Sequence, residues 1–441
     1  MKAVIQAGGR GTRLSAVTKN LIPKPMVQIA GKPLLEWQVE EFRANGVRDI
    51  VIIVGYLGNV IKEYFRDGSH FDVRIRYIEE LEDEPLGTAG ALAYLPPLLG
   101  DGGSGEEEDF IFVYADAFFS VDFERMLAFH KEHRSMATLF VHPNSHPFDS
   151  DLVVLDGDGR VVRFDAKTND RSSYDYENIV NAGVFLFHRN ICDAVPEPRK
   201  LALEKDILQG LLDAGKNVYG YCSTEYVKDV GTPERLAAVA CDIAAGIPQK
   251  RNLSRPQKAI FLDRDGTLNR YVGLLTKPEQ MELEATVIEA VQAINSSEYL
   301  AICCTNQPVV ARGLCTIEDV EAIHRRLQTL LGHGGAYLDD IIYCPHHPDK
   351  GYPGENPKYK IDCNCRKPKT GMIDEMAKKH YIDLQTSWMI GDTTRDIQTA
   401  VNAGMHSLLV KTGEAGNDGA YDAVPEQEAK TLLAAVREIL Q

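Results

Sequence analysis

The chain has no apolar run long enough to cross a bilayer, which takes about 20 residues, and its opening Met1-Lys-Ala-Val-Ile-Gln-Ala-Gly-Gly9 carries no cleavable signal. A cytoplasmic protein is the expectation. Positive charge is also in deficit: 48 Lys and Arg against 64 Asp and Glu leave a formal charge of −16. That field repels nucleic acid and anionic membrane alike, so neither is expected as a partner, and anionic small molecules would need local basic pockets. There is no internal repeat and no secreted disulfide framework. The cysteine count is odd, nine, and three of the nine cluster with a histidine near position 350, a pattern of metal ligation; the other six are expected to be reduced.

At 441 residues the chain exceeds what one core usually organises, and two domains are expected. Short β-branched runs (Lys2–Gln6, Asp49–Val54, Phe110–Tyr114, Thr138–His142) alternate with amphipathic stretches such as Leu34–Asn45, the α/β pattern of a mostly parallel sheet. The alternation restarts at Ala259–Leu262. Between the two lies Gly246-Ile-Pro-Gln-Lys-Arg-Asn-Leu-Ser-Arg-Pro-Gln257, polar and proline-punctuated. The expected division is therefore a domain at 1–246, a linker at 247–257 and a domain at 258–441. Asp101-Gly-Gly-Ser-Gly-Glu-Glu-Glu-Asp109 reads as an exposed loop whose charge is solvated.

The first strand runs into Ala7-Gly-Gly-Arg-Gly-Thr-Arg-Leu14. Gly8, Gly9 and Gly11 let the backbone approach a triphosphate and, with Thr12, direct N–H groups at it, while Arg10 and Arg13 supply charge-assisted hydrogen bonds. Taken singly, such a loop is as often a plain strand-to-helix turn. Ile22-Pro-Lys-Pro-Met26 changes the balance, because two prolines mount Lys24 rigidly. Together these motifs resemble the sugar-1-phosphate nucleotidyltransferase family over roughly residues 1–245. The wording of Pro85-Leu-Gly-Thr-Ala-Gly-Ala91, with Gly87 and Thr88, is most similar to the guanylyltransferase branch of that family and implies base recognition.

The resemblance implies further roles in order. Asp116 and Asp229, the latter in Val227-Lys-Asp-Val-Gly-Thr-Pro233, would hold a catalytic Mg2+. Lys167 would meet the sugar phosphate, and Asn181 and Gly183 would read sugar hydroxyls. The reaction would be in-line attack of a sugar phosphate oxygen on the α-phosphorus of a nucleoside triphosphate, with Arg13 and Lys24 cradling the departing pyrophosphate. One segment departs from the family pattern: Phe148-Asp-Ser-Asp-Leu-Val-Val154 has polar residues where a glycine is usual, which points away from a common hexose.

The second half opens on Asp263-Arg-Asp-Gly-Thr-Leu268. Two aspartates at i and i+2 on a strand tip repel each other, and a cation resolves the repulsion. The motif is the signature of the haloacid dehalogenase superfamily, and this half resembles that superfamily over about 258–430. The resemblance implies that Asp263 is the nucleophile and Asp265 the acid and base, that Thr305 and Asn306 bind the phosphoryl group, and that Lys367 neutralises it. Asp263, Asp265 and Asp392 would form the Mg2+ site, with Asp396 bracing its loop, and Arg312 and Arg366 would contact substrate. Cys344-Pro-His346 and Cys363-Asn-Cys365 supply three thiolates and one imidazole, a closed tetrahedral set for structural Zn2+. His347, next to a ligand, reads as solvated.

This zinc loop, with Thr305-Asn-Gln-Pro-Val-Val-Ala-Arg-Gly313, is similar to that of D-glycero-D-manno-heptose 1,7-bisphosphate 7-phosphatases; histidinol-phosphate phosphatases share the loop. Pro308 and the long insert Asp349–Asp362 depart from the pattern near the substrate mouth. The fold expected is α/β throughout: two Rossmann-like domains, the first GT-A-like, the second haloacid dehalogenase-like with a zinc loop. Removal of the 7-phosphate leaves a heptose 1-phosphate, the acceptor that the first half would need, so a bifunctional enzyme of activated-heptose synthesis, with GTP as donor, is the leading reading. Two others stay open: a hexose-1-phosphate nucleotidyltransferase paired with a histidinol-phosphate-type phosphatase, and a non-catalytic sugar-nucleotide sensor fused to a phosphatase. The implied partners are small-molecule substrates, and a homo-oligomer is compatible with the sequence.

Overall fold

The continuous apolar run Asp49-Ile-Val-Ile-Ile-Val54 is buried on both faces, as a central parallel strand must be, and it anchors the first sheet. In this computed structural model, which describes residues 1–9, 11–100 and 109–441, the chain divides into two compact units. The first comprises Met1–His142, Val153–Asp165 and Asn181–Asn252; the second comprises Pro143–Leu152, Ala166–Val180 and Leu253–Gln441. The expected linker region includes a short helix, Ile247–Lys250. Arg10, the side chain of Thr12 and the acidic run 101–108 lie outside the described residues.

In the first unit, Lys2–Gln6 is flanked by Asp49–Val54 and Asp109–Tyr114, all parallel, with Arg74–Glu79 beyond Asp49–Val54. The register pairs Gln6 with both Ile53 and Tyr114, so three strands end at one level. Chain order reverses on either side of Lys2–Gln6, and ligands bind at the carboxyl ends of strands at such a switch point. Helix Leu34–Ala44 buries Leu34, Leu35, Gln38, Val39 and Phe42, one face at helical spacing. A separate two-stranded antiparallel ribbon pairs Ala117–Ser120 with Tyr226–Asp229, and its register sets Asp229 opposite Ala117.

The second unit is built on six parallel strands in the order Asp340–Cys344, Tyr299–Asn306, Lys258–Leu262, Trp388–Gly391, His406–Val410, Gln427–Ala429. Period-two alternation sends Ile260 and Leu262 into one core and Ala259 and Phe261 into the other, one on each face of the sheet. Lys258–Leu262 is again the switch strand. Segments Pro143–Leu152 and Ala166–Val180 join this unit through helix Ile317–His333: the Tyr176 amide donates to Thr329 Oγ1 (3.1 Å), the Asn178 amide donates to Gln328 Oε1 (2.8 Å), and Arg326 pairs with Asp175 (3.3 Å). Among the described residues no helix is long and apolar enough to cross a membrane.

Candidate functional sites

At the carboxyl edge of the first sheet, Pro23 (φ −70°) and Pro25 fix a single 3-10 turn, Lys24–Met26, that holds Lys24 8% exposed. Gly11 (φ +59°) packs directly against this mount, leaving no room for a β-carbon beside the Lys24 side chain. The Lys24 ammonium lies 2.6 Å from Asp116 Oδ2 and 3.7 Å from Asp229 Oδ1. These carboxylates, more than a hundred residues apart in sequence, meet because the Val230 amide donates to the Asp116 carbonyl (2.8 Å) at the end of the ribbon. Arg235 pairs with the other oxygen of Asp229 at 2.6 Å, and the exposed Arg13 borders Gly231. Two carboxylates converging on one cation position suit a divalent metal, and a buried Asp229 oxygen without a hydrogen-bond donor adds to that fit.

The predicted base segment sits against the same edge. Gln6 Nε2 donates to the Gly87 carbonyl (3.0 Å), and Gly87 (φ +76°) lies too close to Leu201 for any side chain. Thr88 Oγ1 accepts from the Leu203 amide at 2.8 Å. Asn181 donates to Glu204 (3.1 Å) and accepts from the Gly183 amide (3.1 Å), while Tyr114 OH donates to the same Glu204 oxygen at 2.8 Å. Lys167 belongs to the segment that joins the second unit, and its amide donates to Asp151 Oδ1 at 2.9 Å.

In the second unit, Asp263 leaves the tip of the switch strand into a cavity of about 420 Å³. Lys367 is 3% exposed, and its ammonium donates to Asp263 Oδ1 (2.8 Å), Asp396 Oδ1 (2.6 Å) and the Cys304 carbonyl (2.8 Å). Lys367 is clamped by reciprocal bonds with Asn306: its amide donates to Asn306 Oδ1 (3.0 Å) and its carbonyl accepts from Nδ2 (3.1 Å). Thr305 Oγ1 accepts from Gln307 Nε2 at 3.0 Å.

Asp263, Asp392 and Asp396 converge within the span of a single ion. Burial, then the charge of Asp396, lifts the Asp263 pKa to about 6 against the pull of Lys367. Burial, then Asp263 and Asp396, lifts Asp392 to about 8. Asp392 Oδ1 is buried without a donor, and Gly266 and Gly413 stand against its carboxylate. Three carboxylates against the single Lys367 ammonium leave the set two positive charges short, which fits a divalent cation.

Asp396 lies with Asp263 and Asp392 and spends its oxygens on the Lys367 ammonium (2.6 Å) and on the Thr393 amide (3.2 Å) and hydroxyl (2.6 Å), capping the helix that follows, while the Asp265 carboxylate turns to Arg264 (2.9 Å), Gln307 (2.9 Å) and Asn269 (3.1 Å). Arg264 is fully buried and also bonds His324 Nε2 at 3.2 Å. Burial and the Arg264 charge hold His324 well below its ordinary pKa, so its neutral ring accepts. This orienting network was not foreseen. Arg264 sits inside the aspartate signature, the one hint available, whereas Gln307 and His324 reach Asp265 only through the fold. Arg312 and Arg366 line the cavity together with Arg395 and His347, the last 8% exposed rather than solvated.

Strand Asp340–Cys344 delivers Cys344 to the second metal set. Its Sγ lies 3.5 Å from Cys363 Sγ and 3.2 Å from Cys365 Sγ; the latter two are 3.1 Å apart, and His346 Nδ1 is 3.3 Å from Cys365 Sγ. No disulfide joins them. Ligands about 2.3 Å from a tetrahedral Zn2+ stand close to these separations, so the donors fit zinc. The loop continues straight into Arg366, whose guanidinium donates to the His346 carbonyl (3.2 Å), and then Lys367.

Residues 2–246 match the nucleotidyl transferase family, and residues 364–438 match the HAD-hydrolase-like family. A D-glycero-D-manno-heptose-1,7-bisphosphate 7-phosphatase from Thermosynechococcus vestitus is 38% identical over 191 residues, 42% of this chain and 96% of that protein. The chain belongs to both families. A mannose-1-phosphate guanylyltransferase from Mycobacterium tuberculosis is 32% identical over 246 residues, 56% of this chain, and the chain spans 65% of that relative's length. The crystal structure of HddC from Yersinia pseudotuberculosis complexed with GMP-PN matches with 25% identity and a TM-score of 0.46, covering 55% of this chain and 99% of that one. The chain thus unites a nucleotidyltransferase with a phosphatase, a bifunctional enzyme architecture.

Proposed function

We propose that the phosphatase site removes the 7-phosphate of D-glycero-D-manno-heptose 1,7-bisphosphate, and that the nucleotidyltransferase site then transfers GMP from GTP to the resulting heptose 1-phosphate, releasing pyrophosphate. The observation that carries this reading is the pairing itself: the C-terminal part is 38% identical to a heptose-bisphosphate 7-phosphatase, and the product of that reaction is the acceptor class of the N-terminal family. Hydrolysis of histidinol phosphate would supply nothing to the other site.

At the phosphatase site, a carboxylate oxygen of Asp263 attacks phosphorus and the P–O bond to the sugar breaks, leaving an aspartyl-phosphate. Asp265, steered by Arg264 and Gln307, gives its proton to the departing sugar oxygen and takes one from the water that cleaves the acyl phosphate. Lys367 offsets the charge on the transferred group, and Thr305 and Asn306 cradle it. Asp263 and Asp392, with Asp265 beside them, would hold Mg2+, which supplies charge neutralisation at the phosphoryl oxygens, while Asp396, bonded to Lys367 and Thr393, braces the loop. Cys344, His346, Cys363 and Cys365 would hold structural Zn2+ and fix the loop that leads into Lys367.

At the transferase site no protein nucleophile is needed. Lys24 and Arg13 neutralise the leaving pyrophosphate, Gly8, Gly9 and Gly11 admit its oxygens to the backbone, and Asp116 and Asp229 would hold a second Mg2+. Lys167 would meet the sugar phosphate, with Asn181 and Gly183 on the sugar. The test is to supply heptose 1,7-bisphosphate with each nucleoside triphosphate in turn and identify the product by mass. GDP-heptose with release of both phosphate and pyrophosphate is expected; a better turnover of mannose 1-phosphate than of heptose 1-phosphate would remove the heptose assignment.

A further inference from the structure

Beneath the glycine loop of the first unit lies a carboxylate with no structural reason to be charged. Glu80 follows strand Arg74–Glu79 directly, is 8% exposed, and has one buried oxygen, Oε1, with no hydrogen-bond donor. Beside it, Gln6 Nε2 donates to the Gly87 carbonyl (3.0 Å), and Gln6 Oε1 is buried and without a donor as well. Burial raises the Glu80 pKa above its ordinary value against the pull of the Gln6 amide. Buried acceptors are normally satisfied, and a leucine or glutamine would fill this place at lower cost. Two orphan acceptors side by side describe a receptor for donors that are absent from the protein itself.

Their position says which donors. Gln6 ends the switch strand and carries the base segment through Gly87. Gly8 closes over the carboxylate so tightly that a side chain there would collide with Glu80, whereas a side chain at Gly9 would meet open space. A base held against the Pro85–Ala91 segment, which Gln6 contacts through Gly87, would meet this pair of acceptors with no side chain at 8 or 9 in its way. Among the nucleobases, guanine alone presents adjacent donors on its pairing edge, N1–H and N2–H. Uracil and thymine place N3–H between two carbonyls, and adenine and cytosine set an amine beside a ring-nitrogen acceptor. Acceptors facing acceptors repel, so this pair selects against all four.

We infer that Glu80, supported by Gln6, reads the N1–H and N2–H edge of guanine and sets the base preference of the nucleotidyltransferase. The inference deepens the guanylyl-transfer reading and rests on it.

The test uses the full chain, heptose 1-phosphate and a panel of GTP, ITP, UTP and dTTP, read by pyrophosphate release. ITP retains N1–H and lacks the 2-amino group. Wild type is expected to favour GTP over ITP by about tenfold or more in kcat/KM, the worth of a hydrogen bond to a charged acceptor. In Glu80→Gln the ratio falls to within about threefold, with phosphate release from heptose 1,7-bisphosphate unchanged as the control for folding. Where Glu80→Gln loses turnover of every triphosphate, Glu80→Asp decides, because its carboxylate is withdrawn by one methylene and the ratio falls if the contact is direct. An unchanged GTP:ITP ratio in the deciding variant overturns the role of Glu80 and leaves guanylyl transfer standing. Wild-type preference for UTP or dTTP overturns guanylyl transfer and the inference together.

Discussion

The Lys367 ammonium stands 2.8 Å from Asp263 Oδ1. Asn306 clamps its backbone, and the cysteine–histidine loop feeds directly into it, so the position of one cation ties together the nucleophile, the acidic cluster and the second metal set. Replacing Lys367 by Met leaves Asp263 and Asp396 buried without their shared counter-charge. Phosphate release is expected to fall by about 10²–10³, and the phosphatase to lose about 3 kcal/mol of stability. Pyrophosphate release by the other site, assayed with heptose 1-phosphate, reports whether the loss is local.

Asp116→Ala removes the carboxylate 2.6 Å from Lys24. Nucleotidyl transfer is expected to drop by at least about 10², with phosphate release from the bisphosphate intact. Equal pyrophosphate release by wild type and variant would remove Asp116 from the catalytic machinery.

Cys365 Sγ lies within 3.3 Å of both Cys344 Sγ and His346 Nδ1. Cys365→Ser, or stripping with a strong chelator, is expected to abolish about one equivalent of bound zinc, measured by elemental analysis, and to lower phosphatase activity and the unfolding temperature of that domain. Restored activity on adding Zn2+ to the stripped wild type, and not to the variant, distinguishes metal loss from general damage.

Glu41 is held by burial at a pKa of about 7, although the Val121 amide donates to it at 3.0 Å. Its folded pKa exceeds the unfolded one of 4.5, so the native state binds the extra proton and stability falls as pH rises from about 4.5 to 7. The cost at pH 8 is about 3 kcal/mol. Glu41→Gln keeps an acceptor for Val121 and is expected to be the more stable protein at pH 8, with the difference vanishing near pH 4.5. Thermal unfolding at the two pH values checks the sign; a stabilisation independent of pH would show that the charge is not the cause.

By itself the sequence determined what depends on local order. The glycine loop, the prolines around Lys24, the aspartate signature at Asp263 and the Cys-x-His and Cys-x-Cys pairs are short motifs whose chemistry is set by neighbours in the chain. The parallel strands at the centre of each sheet were legible for the same reason: Asp49–Val54 and Lys258–Leu262 are too apolar to lie anywhere but in a core. Strand ends were legible to within a residue or two, since hydrogen-bonded pairing, not composition, stops a strand such as Tyr299–Asn306.

Tertiary structure alone decided the groupings that span long separations. Ribbon register brought Asp229 to Asp116, and the strand-tip geometry of the second sheet set Asp396 beside Asp263 and Asp392. The fold also turned Asp265 toward Arg264 and Gln307, buried His347, and set Glu80 under Gly8. The physical reason is common to all of these: a side chain's charge state and partners follow from what the fold removes from water and what it places within about 3 Å, and neither quantity is written in the neighbouring residues.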